Sequence, residues 1–359
     1  MAKRHLVRIC GRRTSVRSIA QTVFVGFSLI FVLRHIDLGN RNAVLEGLRP
    51  VTTREHAIFS ISDQLRLRCE ERHSTLYLTS TEDEQVLSVK SDDRCFSRAL
   101  RNYCPETPGR RVPNIVHYIW FGIKNMTFYQ LVSFLSVQKF QKPCVILVHG
   151  NVVPIGPYWR HLVHNASNIV HVKMTPPYRV TNGHILRTMT HKSNIARLMV
   201  LQEHGGIYLD LDTVLLRSLD PLMNYPVSMS MEYKSNLWNG LIVAERDPLF
   251  IRHWITLFNQ QYYYAHKKKF EFSLFLPTYI AKAHPSWIHV ENMTFCTPNG
   301  NHLHMIYKEN FDWKENYAMH LYIRYYKVHD DFTSVRRLNA TIGALARLVL
   351  YSTKDLLED

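Results

Sequence analysis

The chain has 359 residues, enough for one large domain with appendages or for two ordinary domains. Its composition, 46% hydrophobic and 20% charged, is that of a folded protein and excludes a wholly disordered chain, a collagen and a multi-spanning transporter. Lys and Arg (44) outnumber Asp and Glu (29), a formal net charge of +15, but charge alone does not identify a partner such as nucleic acid.

The N-terminus combines a basic tail with an apolar run. Residues 1–17 carry six positive side chains and no acid, and residues 18–33 are uncharged and rich in Val, Phe, Ile and Leu. As a helix this run would be roughly 24 Å long, somewhat short of a hydrocarbon core of about 30 Å, but Arg17 and Arg34 can snorkel to extend it. Because positive flanks stay in the cytosol, we expect a cytosolic tail, a single-pass type II signal anchor at 18–33 and a luminal remainder.

Two alternatives to an anchor are a cleaved signal peptide and a buried core helix. A signal peptide needs small residues after the apolar run, where this chain has Arg34-His35-Ile36-Asp37.

Five cysteines follow the run and could form two bridges in an oxidising lumen, with Cys95–Cys104 as a short loop. Glycosylation acceptors, which also suit a lumen, occur at Asn125, Asn165, Asn292 and Asn339.

The rest of the chain divides near residue 112. Residues 34–111 are patchy and end in a Pro- and Gly-containing linker, so we predict a stem. From residue 112 to about 350, runs typical of strands alternate with helical patterns, which predicts an α/β sandwich on a mainly parallel sheet. The predicted strands are 114–120, 144–148, 168–172, 207–216, 227–231 and 241–244, and the predicted helices are 128–140, 191–204 and one that starts after Asp247-Pro248.

Two carboxylates follow a Gly-Gly pair in the segment Gly205-Gly206-Ile207-Tyr208-Leu209-Asp210-Leu211-Asp212. In a strand, a period of two places Asp210 and Asp212 on one face, roughly 7 Å apart. Two like charges that face the same way are costly unless a cation compensates them, and Mn²⁺ or Mg²⁺ with substrate phosphates suits such a pair. A solvated strand end is the alternative interpretation.

Other polar and aromatic residues could complete a site. Asn194 and Arg197 lie three apart near the start of the predicted helix 191–204, where an amide and a guanidinium could bind a polar ligand or form a surface pair. Trp120 ends a predicted strand just before Phe121-Gly122, and its ring could stack on a flat base or pack in the core.

Residues 113–122, 193–197 and 205–212 together resemble the DXD-containing sugar-binding glycosyltransferases, which include α-1,4-galactosyl-, α-1,4-N-acetylglucosaminyl- and fungal α-mannosyltransferases. The resemblance covers residues 112 to about 325. It implies a nucleotide-diphospho-sugar transferase (GT-A type) fold, a divalent metal (Mn²⁺ or Mg²⁺), retaining transfer, and a Golgi membrane protein with a luminal catalytic domain at 112–350.

The resemblance also implies roles for individual residues. Asn194 departs from the family, which usually has Asp there, and this puts donor preference in question. The donor-binding residues implied are Trp120, Asn194, Arg197, Tyr208 and Asn239. The implied metal ligands are Asp210, Asp212 and His320, of which the two aspartates are also the catalytic residues.

The expected function is therefore transfer of a sugar from a nucleotide-diphospho-sugar, with a UDP-sugar favoured, to a glycan or glycolipid acceptor. Glu232, Glu245 and Asp247 lie in the right general region for a nucleophile, but the sequence promotes none of them. The alternatives are a membrane-anchored inactive relative that binds sugar or nucleotide sugar, which Asn194 motivates, and a two-metal nucleic-acid enzyme with a cytosolic or nuclear body. We favour the transferase and expect no nucleic-acid partner.

Overall fold

A computed structural model describes residues 77–81, 84–90, 94–105, 107–232, 236–265, 271–326 and 331–358, all of which belong to one compact unit, Gly47–Asp359. The predicted tail and anchor at 1–33 lie outside the described residues. Within the described ranges, no helix combines the length and the apolar character needed to cross a bilayer.

The described ranges contain eleven strands, most of them in one large sheet. The strands are β1 (Tyr77–Thr81), β2 (Glu84–Lys90), β3 (Ile115–Trp120), β4 (Val145–Gly150), β5 (Ile169–Lys173), β6 (Gly206–Leu209), β7 (Thr213–Leu215), β8 (Val227–Met231), β9 (Leu237–Ala244), β10 (His289–Glu291) and β11 (Ala318–His320). Nine of them form the main sheet in the order β1-β2-β5-β4-β3-β6-β9-β8-β10, and β11 pairs with β7 in a separate two-stranded sheet.

Helices connect many of these strands. They are α1 (Arg94–Tyr103), α2 (Phe128–Phe140), α3 (Pro157–Asn165), α4 (Met189–His204), α5 (Leu249–Ala265), α6 (Leu276–Ala283), α7 (Leu303–Tyr307), α8 (Ser334–Arg337) and α9 (Thr341–Tyr351). Single turns of 3₁₀ helix occupy Asp220–Asn224, Pro285–Trp287 and Ile323–Tyr325, and Glu271–Phe275 form a π-helical turn before α6.

The sheet is mixed but mainly parallel, as predicted. Five of the eight neighbouring strand pairs in the described sheet are parallel, and four of these join β2, β5, β4, β3 and β6 in one continuous run. The carboxyl ends of β3, β4, β5 and β6 therefore lie along one edge of the sheet, which we call the carboxyl edge. Loops beyond such ends are where ligands of α/β sheets usually bind.

Both faces of the sheet are buried. Along β3, Val116 and Tyr118 pack in one hydrophobic cluster while Ile119 packs in another, as the alternation of side chains in a strand requires. The same alternation separates Leu241 from Ile242 in β9. Because both faces are covered, the parallel strands are apolar along their whole length. A ligand can therefore reach these strands only at their ends, such as the carboxyl edge.

The folded unit begins before the predicted boundary at residue 112. β2 pairs in parallel with β5, and α1 packs Phe96 and Leu100 against the apolar strands β4 and β5. The predicted Cys95–Cys104 bridge is wrong, because Cys104 bonds to Cys144 and so ties the end of α1 to the start of β4. Cys95 is also in a disulfide, and Cys296 is a buried free thiol.

The predicted strand 207–216 is interrupted. β6 ends at Leu209, the N–H of Asp210 donates to the carbonyl of Gly240 (2.7 Å), and a turn closes when the N–H of Thr213 donates to the carbonyl of Asp210 (3.0 Å). The chain then joins the second sheet as β7. The turn satisfies the backbone groups where the two acidic residues occur, so the strand alternation assumed from the sequence does not position them.

Four histidines form a buried cluster near the middle of the main sheet. The rings of His117, His149 and His204 stack with centroids 5.2 to 6.4 Å apart, and His117 Nδ1 lies 2.9 Å from His149 Nε2. Burial lowers the pKa of His117 to about 3 and that of His171 and His204 to about 4, and it also lowers the pKa of His149. These imidazoles are therefore neutral parts of the core.

Candidate active site

Helix α4 presents polar side chains to the interior next to the carboxyl edge. It starts where the Thr188 hydroxyl accepts the N–H of His191 (3.2 Å), and it ends at Gly205, whose φ of 65° favours glycine. Asn194 and Arg197 are only 4% and 5% exposed, whereas the apolar Met199 is 45% exposed. The helix therefore turns its polar pair inward, and the interpretation of Asn194 and Arg197 as a surface pair does not hold.

Arg197 connects three parts of the site. One of its terminal nitrogens donates to the carbonyl of Asn239 (2.7 Å) and lies 3.1 Å from Asp210 Oδ1. Its guanidinium carbon stands 4.4 Å from the centroid of the Tyr208 ring, a cation–π distance. A buried guanidinium with a carboxylate partner and a carbonyl acceptor is well compensated, so Arg197 fixes Asp210 relative to α4 and β9.

Asp210 is held on one side only. The Tyr208 hydroxyl donates to Asp210 Oδ1 (2.7 Å), which is the same oxygen that pairs with Arg197. Burial raises the pKa of Tyr208, and the charge of Asp210 adds to this while Arg197 opposes it, so the phenol remains a proton donor. The other oxygen, Oδ2, lies where a Cβ on Gly240 would approach within 2.7 Å, so the missing side chain of Gly240 leaves room for it.

Asp212 is held by a segment far along the chain. Its Oδ1 lies 3.0 Å from His320 Nε2 on β11, and its Oδ2 accepts the N–H of Ile323 (3.1 Å). Burial alone would raise the pKa of Asp212, but the charge and hydrogen bond of His320 outweigh it and the pKa is lowered. Conversely, burial would lower the pKa of His320, but Asp212 outweighs it and the pKa is raised. The two therefore form an ion pair.

Asn194, the residue that departs from the family pattern, has a defined partner. Its Oδ1 accepts a hydrogen bond from Nδ2 of Asn239 (3.1 Å), and both side chains are almost fully buried. An aspartate at this position could accept the same bond, so the amide keeps the contact with Asn239 and removes only the negative charge. The two predicted donor-binding asparagines are thus a pair.

Near His320 lie Tyr322 and Trp238, to which sequence reasoning assigned no role, and Glu232, which it named only as one of three unassigned acids. The Tyr322 hydroxyl donates to Glu232 Oε1 (2.7 Å), and the rings of Tyr322 and Trp238 lie 3.9 and 4.9 Å from the His320 ring. Tyr322 adopts a left-handed conformation (φ 54°), which lets the chain turn back so that Ile323 reaches Asp212. Its place two residues after His320 was the available signal.

The three acids that the sequence left unassigned separate in space. Glu232 follows β8, which runs in the same direction as β6, so it lies at the carboxyl edge with Asp210. Glu245 follows β9, which is antiparallel to β6, and it pairs with Arg111 (2.6 Å) at the other edge. Asp247 lies beyond Glu245 and pairs with Arg252 (3.3 Å). Of the three, only Glu232 is near the site.

Trp120 is the one predicted site residue whose side chain, among the described residues, makes none of the site contacts given above. Its side chain is 1% exposed in the hydrophobic core, and its Nε1 is buried without a hydrogen-bond partner among the described residues. No ring face is available here for stacking on a base. The side-chain contacts of the other seven predicted residues form two groups, one of Asn194, Arg197, Tyr208, Asp210 and Asn239, and one of Asp212 and His320.

The residues around the turn suit a divalent cation only if a substrate contributes ligands. No group of three acidic, His or Cys side chains within the described ranges is arranged to hold a metal. Asp210 and Asp212 offer hard carboxylate oxygens, and Mg²⁺ commonly binds through one or two carboxylates plus substrate phosphates. His320, predicted as a ligand, uses Nε2 for Asp212, so in this arrangement that nitrogen is not available to a cation.

Sequence comparisons identify relatives among glycosyltransferases. Residues 136–228 match the family described as "Glycosyltransferase sugar-binding region containing DXD motif". "Glucan organizing enzyme 1" of Cryptococcus neoformans is 26% identical over 208 residues, 52% of this chain and 54% of that protein. "Inositol phosphoceramide mannosyltransferase 3" of Schizosaccharomyces pombe is 37% identical over 62 residues, 17% of each chain. The chain thus spans about half or less of the length of these relatives.

Similar solved structures are also glycosyltransferases, at low similarity. The galactosyltransferase LgtC in complex with donor and acceptor sugar analogues has a TM-score of 0.41 and 16% identity, with 68% of this chain and 98% of that chain covered. PaToxG glycosyltransferase has a TM-score of 0.38 and 16% identity, with 52% and 74% covered. These scores are too low to assign a fold.

The matched segment contains the polar face of α4, the strand β6 and the turn with both aspartates. The relatives found by sequence support an enzyme of the glycosyltransferase class. The family resemblance predicted from the motifs is therefore confirmed for residues 136–228, which match the glycosyltransferase sugar-binding region containing a DXD motif.

Proposed function

We propose that this protein transfers a sugar, with retention of configuration, from a nucleotide-diphospho-sugar to a glycan or glycolipid acceptor. The observation that carries the proposal is the turn after β6, where Asp210 and Asp212 are each held by separate partners at the carboxyl edge. The nucleotide-diphospho-sugar transferase (GT-A type) fold is part of the proposal, and the mainly parallel sheet supports it.

Asp210 and Asp212 would hold a divalent cation, Mn²⁺ or Mg²⁺, together with oxygens of the donor diphosphate. Such a cation, when bound, neutralises the negative charge that develops on the departing diphosphate. Arg197 and Tyr208 occupy Oδ1 of Asp210 and so orient Oδ2 outward from them. The pair Asn194 and Asn239 offers amide groups beside Asp210 for hydroxyl groups of the sugar.

The favoured donor is a UDP-sugar, by analogy with the animal members of the family that the motifs resemble. We also propose a Golgi location with a type II anchor at 18–33. The Cys104–Cys144 disulfide supports an oxidising compartment, and Asn165 and Asn292 are exposed as glycosylation requires.

The decisive experiment measures turnover with the full chain, Mn²⁺ and a panel of nucleotide sugars. We expect release of nucleoside diphosphate with at least one donor, lost on metal chelation. Asp212→Asn should reduce the rate by about 100-fold or more, because it keeps the size of the side chain but removes its charge and turns one of its two acceptor oxygens into a donor. Asp312→Asn is the matched control, since Asp312 is an exposed carboxylate outside the site.

A second function is favoured by Asn194 alone: a relative that binds nucleotide sugar without turning it over. Binding of a UDP-sugar by the wild-type chain, measured by calorimetry, with no turnover of any donor would support this alternative. Neither binding nor turnover with any nucleotide sugar would contradict both proposals.

A further inference from the structure

One long stretch of this chain lacks negative charge altogether. Residues 107–202 contain eleven Lys and Arg residues and no Asp or Glu. This stretch therefore carries a formal charge of +11, most of the +15 of the whole chain. It includes β3, β4, β5 and α4, so the loops that leave these three strands at the carboxyl edge are also free of acids.

Three of these loops form a connected surface, which we call the loop rim: residues 121–125, 151–156 and 174–188. The first two are joined because the N–H of Met126 donates to the carbonyl of Ile155 (2.8 Å) and the N–H of Gly122 donates to Asn151 Oδ1 (2.9 Å). The third is fastened to α5, where Asn259 Oδ1 accepts the N–H of Thr181 (2.9 Å). Hydrogen bonds thus hold all three loops of the loop rim in place.

The loop rim exposes apolar and basic side chains together. The exposed apolar residues are Ile123 (77% exposed), Ile155 (38%), Tyr178 (57%) and Ile185 (41%). The exposed basic residues in or beside the same loops are Lys124, Lys173, Arg179 and Arg187. The acids that we place at this edge lie outside these loops and have partners: Asp210 pairs with Arg197, Asp212 with His320, and Glu232 accepts the Tyr322 hydroxyl.

We propose that the loop rim docks on an anionic phospholipid bilayer. Positive charge with no nearby acid is complementary to anionic headgroups, and aliphatic tips can enter the boundary between headgroups and acyl chains. A soluble polyanion would satisfy the basic residues but would leave Ile123, Ile155 and Ile185 in water. Docking would turn the carboxyl edge, with Asp210 and Asp212, toward the membrane. The inference does not depend on sugar transfer.

The test uses the full chain reconstituted in vesicles of phosphatidylcholine alone or with about a third phosphatidylserine, and it measures hydrogen exchange of backbone amides. We expect slower exchange of peptides from the loop rim in the anionic vesicles and equal exchange of peptides from α6 in both. Lys124→Glu combined with Arg187→Glu should lower the docked-to-undocked ratio by at least about 25-fold, since each basic side chain near an anionic surface contributes about fivefold. The lipid-dependent protection should then disappear.

Lys142→Glu combined with Lys282→Glu is the matched control. Both lysines are exposed, but Lys142 precedes β4 and Lys282 precedes β10, so they lie at the opposite edge of the sheet and the protection should persist. Equal exchange of the loop rim in both vesicles would overturn the proposal. So would protection by soluble dextran sulfate but not by anionic vesicles, or a glycan on Asn125 in the full chain.

Discussion

Arg197 is the side chain on which the geometry of the candidate site depends most. It is buried, and it joins Asp210 to the carbonyl of Asn239 while its plane covers the Tyr208 ring. The sequence predicted that Arg197 and Asn194 share a face of a helix. It could not predict that this face points inward, because the helix carries apolar residues on more than one of its faces and the pattern does not show which face is buried.

Arg197→Lys should destabilise the protein. A lysine has a compact ammonium that cannot pair with Asp210 and the Asn239 carbonyl in the same way, so we expect a loss of about 1–3 kcal/mol in the free energy of unfolding. The comparison is Arg252→Lys, which alters an ion pair with Asp247 that is about half exposed and should change stability by less than about 0.5 kcal/mol. Urea unfolding measures both, and equal effects would contradict a structural role for Arg197.

Gly240→Ala should disturb the site without a change of charge. The added Cβ would come within 2.1 Å of the Trp238 ring and 2.7 Å of Asp210 Oδ2, so one of these side chains must move. We expect the variant to give nearly as much folded protein as the wild type. Its turnover of the donor should nevertheless be much lower. Gly300→Ala, with a nearest contact of 3.3 Å, is the milder comparison. Unchanged turnover in Gly240→Ala would show that Oδ2 of Asp210 is not used.

At the scale of elements, helix α2 and strands β3, β4, β5 and β8 were predicted within a residue or two, because their apolar runs and the turns between them are local signals. The break after Leu209 was not predicted. Residues 207–212 alternate as in one strand and 214–216 continue as an apolar run. Only the partners β9 and β11, distant in sequence, place the two halves in different sheets. The part of 34–111 that joins the sheet was missed for the same reason.

The histidine cluster should make stability depend on pH. Each ring has a lowered pKa in the folded state, so below the unfolded value of about 6.5 the unfolded chain binds more protons. Stability is therefore full above pH 7 and falls as the pH drops from about 6.5 toward 4. The four rings together should give a slope of up to about 5 kcal/mol per pH unit near pH 5.

Urea unfolding between pH 7.5 and 5 measures this slope. His171→Asn should reduce it by about a quarter, because one of the four buried titrations is removed. His304→Asn, which changes an exposed histidine, is the control and should leave the slope unchanged. A wild-type stability that does not fall over this range would contradict the burial of neutral histidines.

The Cys104–Cys144 bridge should stabilise the packing of α1 on the sheet. It closes a loop of 40 residues in sequence separation, for which chain entropy gives about 4 kcal/mol. Replacing both cysteines by serine should lower the free energy of unfolding by about 2–4 kcal/mol, measured by urea unfolding without reductant. Cys296 remains present in both proteins and serves as the internal control for thiol chemistry. No change in stability would contradict the bridge.

At the scale of the whole molecule, the chain should carry N-linked glycans if its body is luminal. Asn165 and Asn292 are exposed and head acceptor sequences. Expression in animal cells should therefore give a mass shift that an endoglycosidase removes, and Asn165→Gln with Asn292→Gln should reduce it. Asn151→Gln, outside any acceptor sequence, is the control. Absence of a glycan from both Asn165 and Asn292 would contradict the luminal orientation.

The mainly parallel α/β sheet and the family resemblance could be predicted, because both depend on short patterns of residues that lie close together in sequence. The completed site could not. Asp212 takes its partners from β11 and Ile323, and Glu232 takes its partner from Tyr322, so the pairings depend on how the second sheet packs. The same packing brings His320 to Asp212, a pairing that the sequence could not predict, and the assignment of His320 as a metal ligand stays a prediction.

His320 and Ile323 lie 108 and 111 residues after Asp212 in the sequence. During synthesis, a ribosome completes the whole family-matched segment, with both aspartates, long before it makes the groups that hold the second one. A transcript truncated between the codons for residues 228 and 318 would encode a product that any motif search still recognises. That product would have Asp212 without either of its partners, His320 and Ile323. We therefore expect a splice form of this length to match the family model and to lack the proposed transferase activity.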